Sequence, residues 1–163
     1  MSYRVSFFKD RQKFSAAHFT LFDDGEVERL HGHNYTVNVV FEGSQLDRGL
    51  LFPFHQVKPV IKHLCDTWDE YVLIPNASDW VDVDEHESQV EVRLKTPKVR
   101  KLYSFPVEDV RILPCDNVSC ENLTRLFLDR LIVNLDQEDI RIDGIEVSIS
   151  ESAGQTVTLG RKL

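Results

Sequence analysis

Cysteine is scarce in this chain, with only Cys65, Cys115 and Cys120 among 163 residues. Three is too few and too odd a number for a disulfide framework, so a reduced, cytoplasmic setting is the expectation. Long apolar runs are also missing. No stretch approaches the roughly 18 consecutive apolar residues a membrane span requires. The opening segment, MSYRVSFFKDRQKF, has neither the apolar core nor the cleavage site of a secretory leader, and none is expected. Basic charge is in deficit: 19 basic against 27 acidic residues give a net charge of −8. That balance argues against nucleic-acid and anionic-membrane partners, but not against a small anionic substrate held in a local basic pocket. Repeats, linkers and low-complexity tracts are absent too, so residues 1–163 are expected to form one domain.

What is present reads as an α+β fold. Apolar residues at 42% and charged residues at 28% suffice for a packed core and exclude disorder. A first strand is expected from Tyr3 to Phe19, interrupted by the charged run KDRQK. A second is expected over Asn34 to Phe41, where apolar and polar residues alternate. Val57, Ile61 and Leu64 at helical spacing predict a helix from Phe54 to Thr67, which Pro59 weakens unless it lies in the first turn. The acidic stretch SDWVDVDEHES is expected to be exposed. QVEVRL and VRKLYSF around TPK predict a β-hairpin. A second helix is expected from Asn117 to Leu135, capped by Ser119 or Asn117 and striped by Leu123, Leu126, Phe127, Leu131 and Leu135. Two strands, IRIDGIEVSIS and QTVTLGRKL, close the chain.

The sharpest chemical signal is His31-Gly32-His33, with His18 thirteen residues upstream. Residues i and i+2 of a strand share a face, so His31 and His33 present their imidazoles side by side. Antiparallel pairing of the first two strands places His18 opposite them. Three neutral imidazoles with an open fourth position suit a catalytic Zn²⁺. By spacing alone, three unrelated surface histidines satisfy the same pattern. His55, His63 and His86 show no grouping and are expected to be solvated.

The segments FSAAHF (14–19) and ERLHGHNYTVNVVFEG (28–43) resemble the zinc-binding hairpin of the 6-pyruvoyl-tetrahydropterin synthase family, which also includes the 6-carboxy-tetrahydropterin synthases. WDEYVLIP (68–75) stands where that family has Leu-Asp-His-x-x-Leu, and SCEN (119–122) where it has Thr-x-Glu-Asn. SISES (148–152) stands where it has its C-terminal glutamate. The resemblance implies the tunnelling fold, with a four-stranded antiparallel sheet carrying two helices on one face, here with an inserted β-hairpin. It implies Zn²⁺ on His18, His31 and His33. It also implies a pterin substrate gripped by Glu151 beside Ser119 and Cys120, and a homohexamer built as a dimer of trimers.

Two departures shape the expected reaction. The family's usual cysteine would fall at Val27 or Gly25, and this loop has no cysteine; Glu28 instead gives E-R-L-H-G-H. The glutamate pattern resembles a subfamily that cuts the side chain of 7,8-dihydroneopterin triphosphate to leave 6-hydroxymethyl-7,8-dihydropterin. A zinc-dependent lyase with Glu28 as its acid–base group is therefore the expected function. The family's Asp-His pair is Asp69-Glu70 here. Without the histidine the same relay fails near neutral pH, leaving Asp69 to orient another group. Alternatives are a 6-pyruvoyl or 6-carboxy product, or a pterin-binding protein without turnover. Cys120, a thiol at a helix N-terminus, is either reactive or a buried, inert side chain.

Overall fold

In a computed structural model that describes residues 1–135 and 140–163, the described residues form nine strands and two α-helices. The chain runs β1 (Tyr3–His18), β2 (His31–Gly43), α1 (Phe54–Asp66), β3 (Tyr71–Pro75), β4 (Val81–Glu85), β5 (Gln89–Lys95) and β6 (Arg100–Pro106). It continues through β7 (Val110–Leu113), α2 (Cys120–Leu135), β8 (Gly144–Ser152) and β9 (Gln155–Lys162). One sheet has the order β7-β3-β1-β2-β8-β9, and β4-β5-β6 form a second.

The α+β class with two helices is as expected, and the first sheet is larger than four strands. Its antiparallel part, β1-β2-β8-β9, is extended by β3 pairing parallel to β1 and by β7 pairing parallel to β3. YVLIP and VRIL are short apolar runs that lack the alternation of a half-exposed strand, because Leu73, Ile74 and Leu113 are fully enclosed. The insertion is likewise three strands rather than a hairpin. In the acidic stretch Val81 turns inward, while Asp82 and Asp84 pair with Lys95 and Arg93 on β5.

A register shift in β1 keeps its apolar side chains on one face. Phe7 and Phe14 are seven residues apart, an odd spacing that sends them to opposite faces of a regular strand. The irregularity between Phe8 and Lys13 restores both to the helix side, opposite Val39 and Tyr35 of β2. The two helices cover this face, burying Val57, Ile61, Leu64 and Cys65 of α1 and Leu123, Phe127 and Leu131 of α2. Pro59 lies inside α1, beyond its first turn. It is exposed, so the carbonyl it leaves without an N–H partner meets water.

Candidate metal centre

The histidines stand where the core face of the sheet reaches its rim. In the β1–β2 register His18 is opposite His31 and Ala16 is opposite His33, so all three project on the face that carries Tyr35. Their ligand nitrogens lie within 4.8 Å of one another. Backbone carbonyls orient two of the rings. His18 Nδ1 donates to the Val118 carbonyl at 2.8 Å, and His31 Nδ1 donates to the Arg29 carbonyl at 2.7 Å. A carbonyl only accepts, so in the neutral form of either ring the proton sits at Nδ1 and Nε2 presents the lone pair. His18 is buried, which pushes its pKa below the ordinary imidazole value even though the Val118 carbonyl and Glu151 pull the other way. Three imidazoles, two of them fixed through their far nitrogens, fit a zinc-type ion. His55, His63 and His86 are exposed, as expected.

Two carboxylates reach this cluster. Glu28 Oε2 lies 4.0 Å from His31 Nε2. A tight reversal holds it there: Glu28 donates its N–H to Thr20 O at 3.0 Å, and Leu21 bridges Val27. Gly25 sits at the tip with φ +85°, where a side chain would be strained and would meet Pro97 Cδ at 2.9 Å. Thr96 bonds the Gly25 carbonyl and Lys98 pairs with Asp24 and Glu26, so the β5–β6 turn braces the glutamate loop. Glu151 is the second carboxylate. Its Oε1 lies 3.4 Å from His18 Nε2 and 3.6 Å from His33 Nε2, and accepts a hydrogen bond from Tyr35 at 3.0 Å.

The other expected site residues sit differently. Asp69 Oδ1 accepts the Ser15 backbone N–H at 2.7 Å, clamping the turn after α1 to β1 three residues before His18; no ion pair joins it to a histidine among the described residues. Glu70, which stands where the family has histidine, is exposed. Ser119 Oγ accepts the Asn122 N–H at 3.3 Å, the bond of a helix N-cap. Cys120 donates its thiol to Ile149 O at 3.3 Å, and burial pushes its pKa up, so it is held as a thiol.

Two contributors were not expected. Asn117 bonds both backbone groups of Leu21, accepting at 3.0 Å and donating at 2.9 Å, which ties the glutamate loop to the approach of α2. The fully buried Tyr35 places its hydroxyl between Glu151 and His18 Nε2, 3.2 Å from the latter. Its place within HGHNY, two residues after His33, was the available signal for Tyr35. Asn117 offered none beyond its capping propensity.

Comparison with known proteins gives a consistent set of relatives. The model of a family described as 6-pyruvoyl tetrahydropterin synthase matches residues 8–162. A Methanocaldococcus jannaschii protein, provisionally named 6-carboxy-5,6,7,8-tetrahydropterin synthase, is 30% identical over 145 residues, covering 88% of this chain and 86% of that protein. The structure of Plasmodium falciparum 6-pyruvoyl tetrahydropterin synthase is similar with a TM-score of 0.90 at 29% identity, covering 99% of both chains. A Plasmodium vivax 6-pyruvoyltetrahydropterin synthase, described as a catalytic-residue mutant with glutamate changed to alanine, is similar with a TM-score of 0.91. It is 26% identical to this chain and covers 100% of it and 99% of its own length.

Proposed function

The chain belongs to the 6-pyruvoyl tetrahydropterin synthase family, and on that premise we propose that it is a zinc-dependent lyase acting on the side chain of 7,8-dihydroneopterin triphosphate. The observation that carries this reading is the Glu28 carboxylate 4.0 Å from Nε2 of His31, within a cluster of three histidines and with no cysteine in its loop. In the Plasmodium vivax relative the residue described as catalytic is also a glutamate.

His18, His31 and His33 would hold the ion. When bound, zinc supplies a Lewis acid that lowers the pKa of a side-chain hydroxyl. Glu28 takes the proton of the 2′-hydroxyl as C2′ becomes an aldehyde and the C1′–C2′ bond breaks. The electron pair left on C1′ is conjugated with the dihydropterin imine. Glu28 then returns a proton to C1′. The products are 6-hydroxymethyl-7,8-dihydropterin and triphosphorylated glycolaldehyde, with atoms balanced and no oxidant consumed.

Glu151 binds the 2-amino and N3–H edge of the pterin, a two-point fit for a carboxylate. Ser119 accepts its cap bond and keeps its own proton to donate toward the ring, with Cys120 beside it. Asp69 serves as a positioning residue, fixing β1 through Ser15. The assembly is a hexamer of two trimers, each closing a barrel. The outer edge of β9 has no partner among the described residues, and closure would cover it. No described helix is long and apolar enough to cross a membrane. A cytoplasmic location and one domain over 1–163 accompany this reading.

The name of the archaeal relative favours a 6-carboxy product, and the engagement of Asp69 by Ser15 favours a binder without turnover. Incubating zinc-loaded protein with 7,8-dihydroneopterin triphosphate and identifying products by mass separates all three. Release of 6-hydroxymethyl-7,8-dihydropterin supports the lyase. A 6-carboxy or 6-pyruvoyl product, or unchanged substrate, refutes it.

A further inference from the structure

Ring recognition does not account for where one carboxylate oxygen lies. Glu151 is the extra residue of a β-bulge, between the Ser150–Thr156 and Ser152–Gln155 pairs of β8 and β9. Bulges re-aim side chains. This one accompanies an Oε1 placed 3.4 Å from His18 Nε2 and 3.6 Å from His33 Nε2. Two donors of a tetrahedral zinc shell, each about 2.0–2.2 Å from the ion, stand roughly 3.4 Å from one another. The oxygen therefore keeps the spacing of a fellow ligand to both histidines.

Proton bookkeeping leads to the same place. His18 spends its Nδ1 proton on the Val118 carbonyl, so its Nε2 and the Glu151 carboxylate confront each other as two lone-pair donors. Tyr35 has one hydroxyl proton for both, with the carboxylate at 3.0 Å and Nε2 at 3.2 Å. One proton cannot satisfy two acceptors. A cation between them does.

We propose that Glu151 supplies a fourth donor to the metal held by His18, His31 and His33 in the substrate-free protein, with Tyr35 as its positioning residue, and that the diol of an arriving pterin displaces it. The proposal rests on reading the three histidines as a metal site. It also deepens the role of Glu151, since one carboxylate cannot hold the ion and the ring edge at once. Release from the metal is then what makes the carboxylate available to the pterin.

The test uses Co²⁺ as an optical probe on the full chain, with folding of each variant checked by circular dichroism. Glu151→Gln should bind Co²⁺ about 10–100-fold more weakly than the parent and show altered visible bands. Glu151→Asp keeps the charge but withdraws the oxygen by one methylene, and should alter the bands likewise. Tyr35→Phe should shift them in the same direction by less. Adding neopterin to the Co²⁺-loaded parent should change its spectrum as the carboxylate leaves. Unchanged affinity and bands in Glu151→Gln and Glu151→Asp would overturn the fourth-donor assignment, and an unchanged spectrum with saturating neopterin would overturn the displacement. If His31→Ala keeps Co²⁺, the three-histidine reading itself fails. If His31→Ala loses the ion while both Glu151 variants match the parent, only the fourth donor fails.

Discussion

His18 Nδ1 donates to the carbonyl of Val118, 2.8 Å away across 100 residues of sequence. The bond orients the His18 ring on β1 from the segment that leads into α2. Asn117, one residue earlier, holds Leu21 by two backbone bonds. One short segment thus orients both a ring of the histidine cluster and the loop that carries Glu28. This coupling makes residues outside the histidine cluster matter to it.

Asn117→Ala removes both bonds to Leu21. At about 1 kcal/mol for each bond the loss is about 2 kcal/mol, which lowers the melting temperature by roughly 4–8 °C. The glutamate loop should loosen as well, so zinc affinity in a competition assay should fall. A variant matching the parent in both measurements would show that Asn117 does not organise the site.

His31→Ala should abolish stoichiometric zinc, read by elemental analysis of the purified chain. His31 is half-exposed and contributes little to the core, so circular dichroism should show the fold retained. Full zinc occupancy in the variant would refute the ligand assignment.

How far these residues could be read from sequence depends on what kind of contact holds them. The histidine cluster was legible because a strand's two-residue period and one antiparallel hairpin suffice to assemble it. The stripe of α2 was legible for the same kind of reason, local periodicity. The parallel strands β3 and β7 were not, because short, fully buried apolar runs carry no alternation. β4 was hidden by its acids, whose partners Arg93 and Lys95 lie a hairpin away. Asn117 and the closeness of Glu151 to the histidines depend on contacts across about 100 residues or more, which no local pattern encodes.

The buried thiols predict an alkaline limit to stability. Burial pushes the pKa of Cys65 up to about 12 and that of Cys115 up to about 11. The unfolded thiols ionise near 8.5, so the unfolded state gives up protons that the folded state keeps. The stabilisation is complete below pH ~8.5 and is lost as pH rises toward the folded values. Denaturant midpoints should fall between about pH 9 and 11. In the folded chain at pH 8, a thiol reagent should leave Cys65 and Cys115 unmodified, and rapid labelling of either would contradict their enclosure.

Glu28→Gln tests the central claim most directly, with zinc per chain and turnover of 7,8-dihydroneopterin triphosphate measured on the same preparation. The substitution keeps the shape of the side chain and changes none of the proposed metal ligands or ring-binding residues. Zinc should remain stoichiometric while turnover falls by roughly 10²–10⁴, the usual worth of a positioned acid–base group. Full turnover in a fully zinc-loaded Glu28→Gln protein would contradict the account.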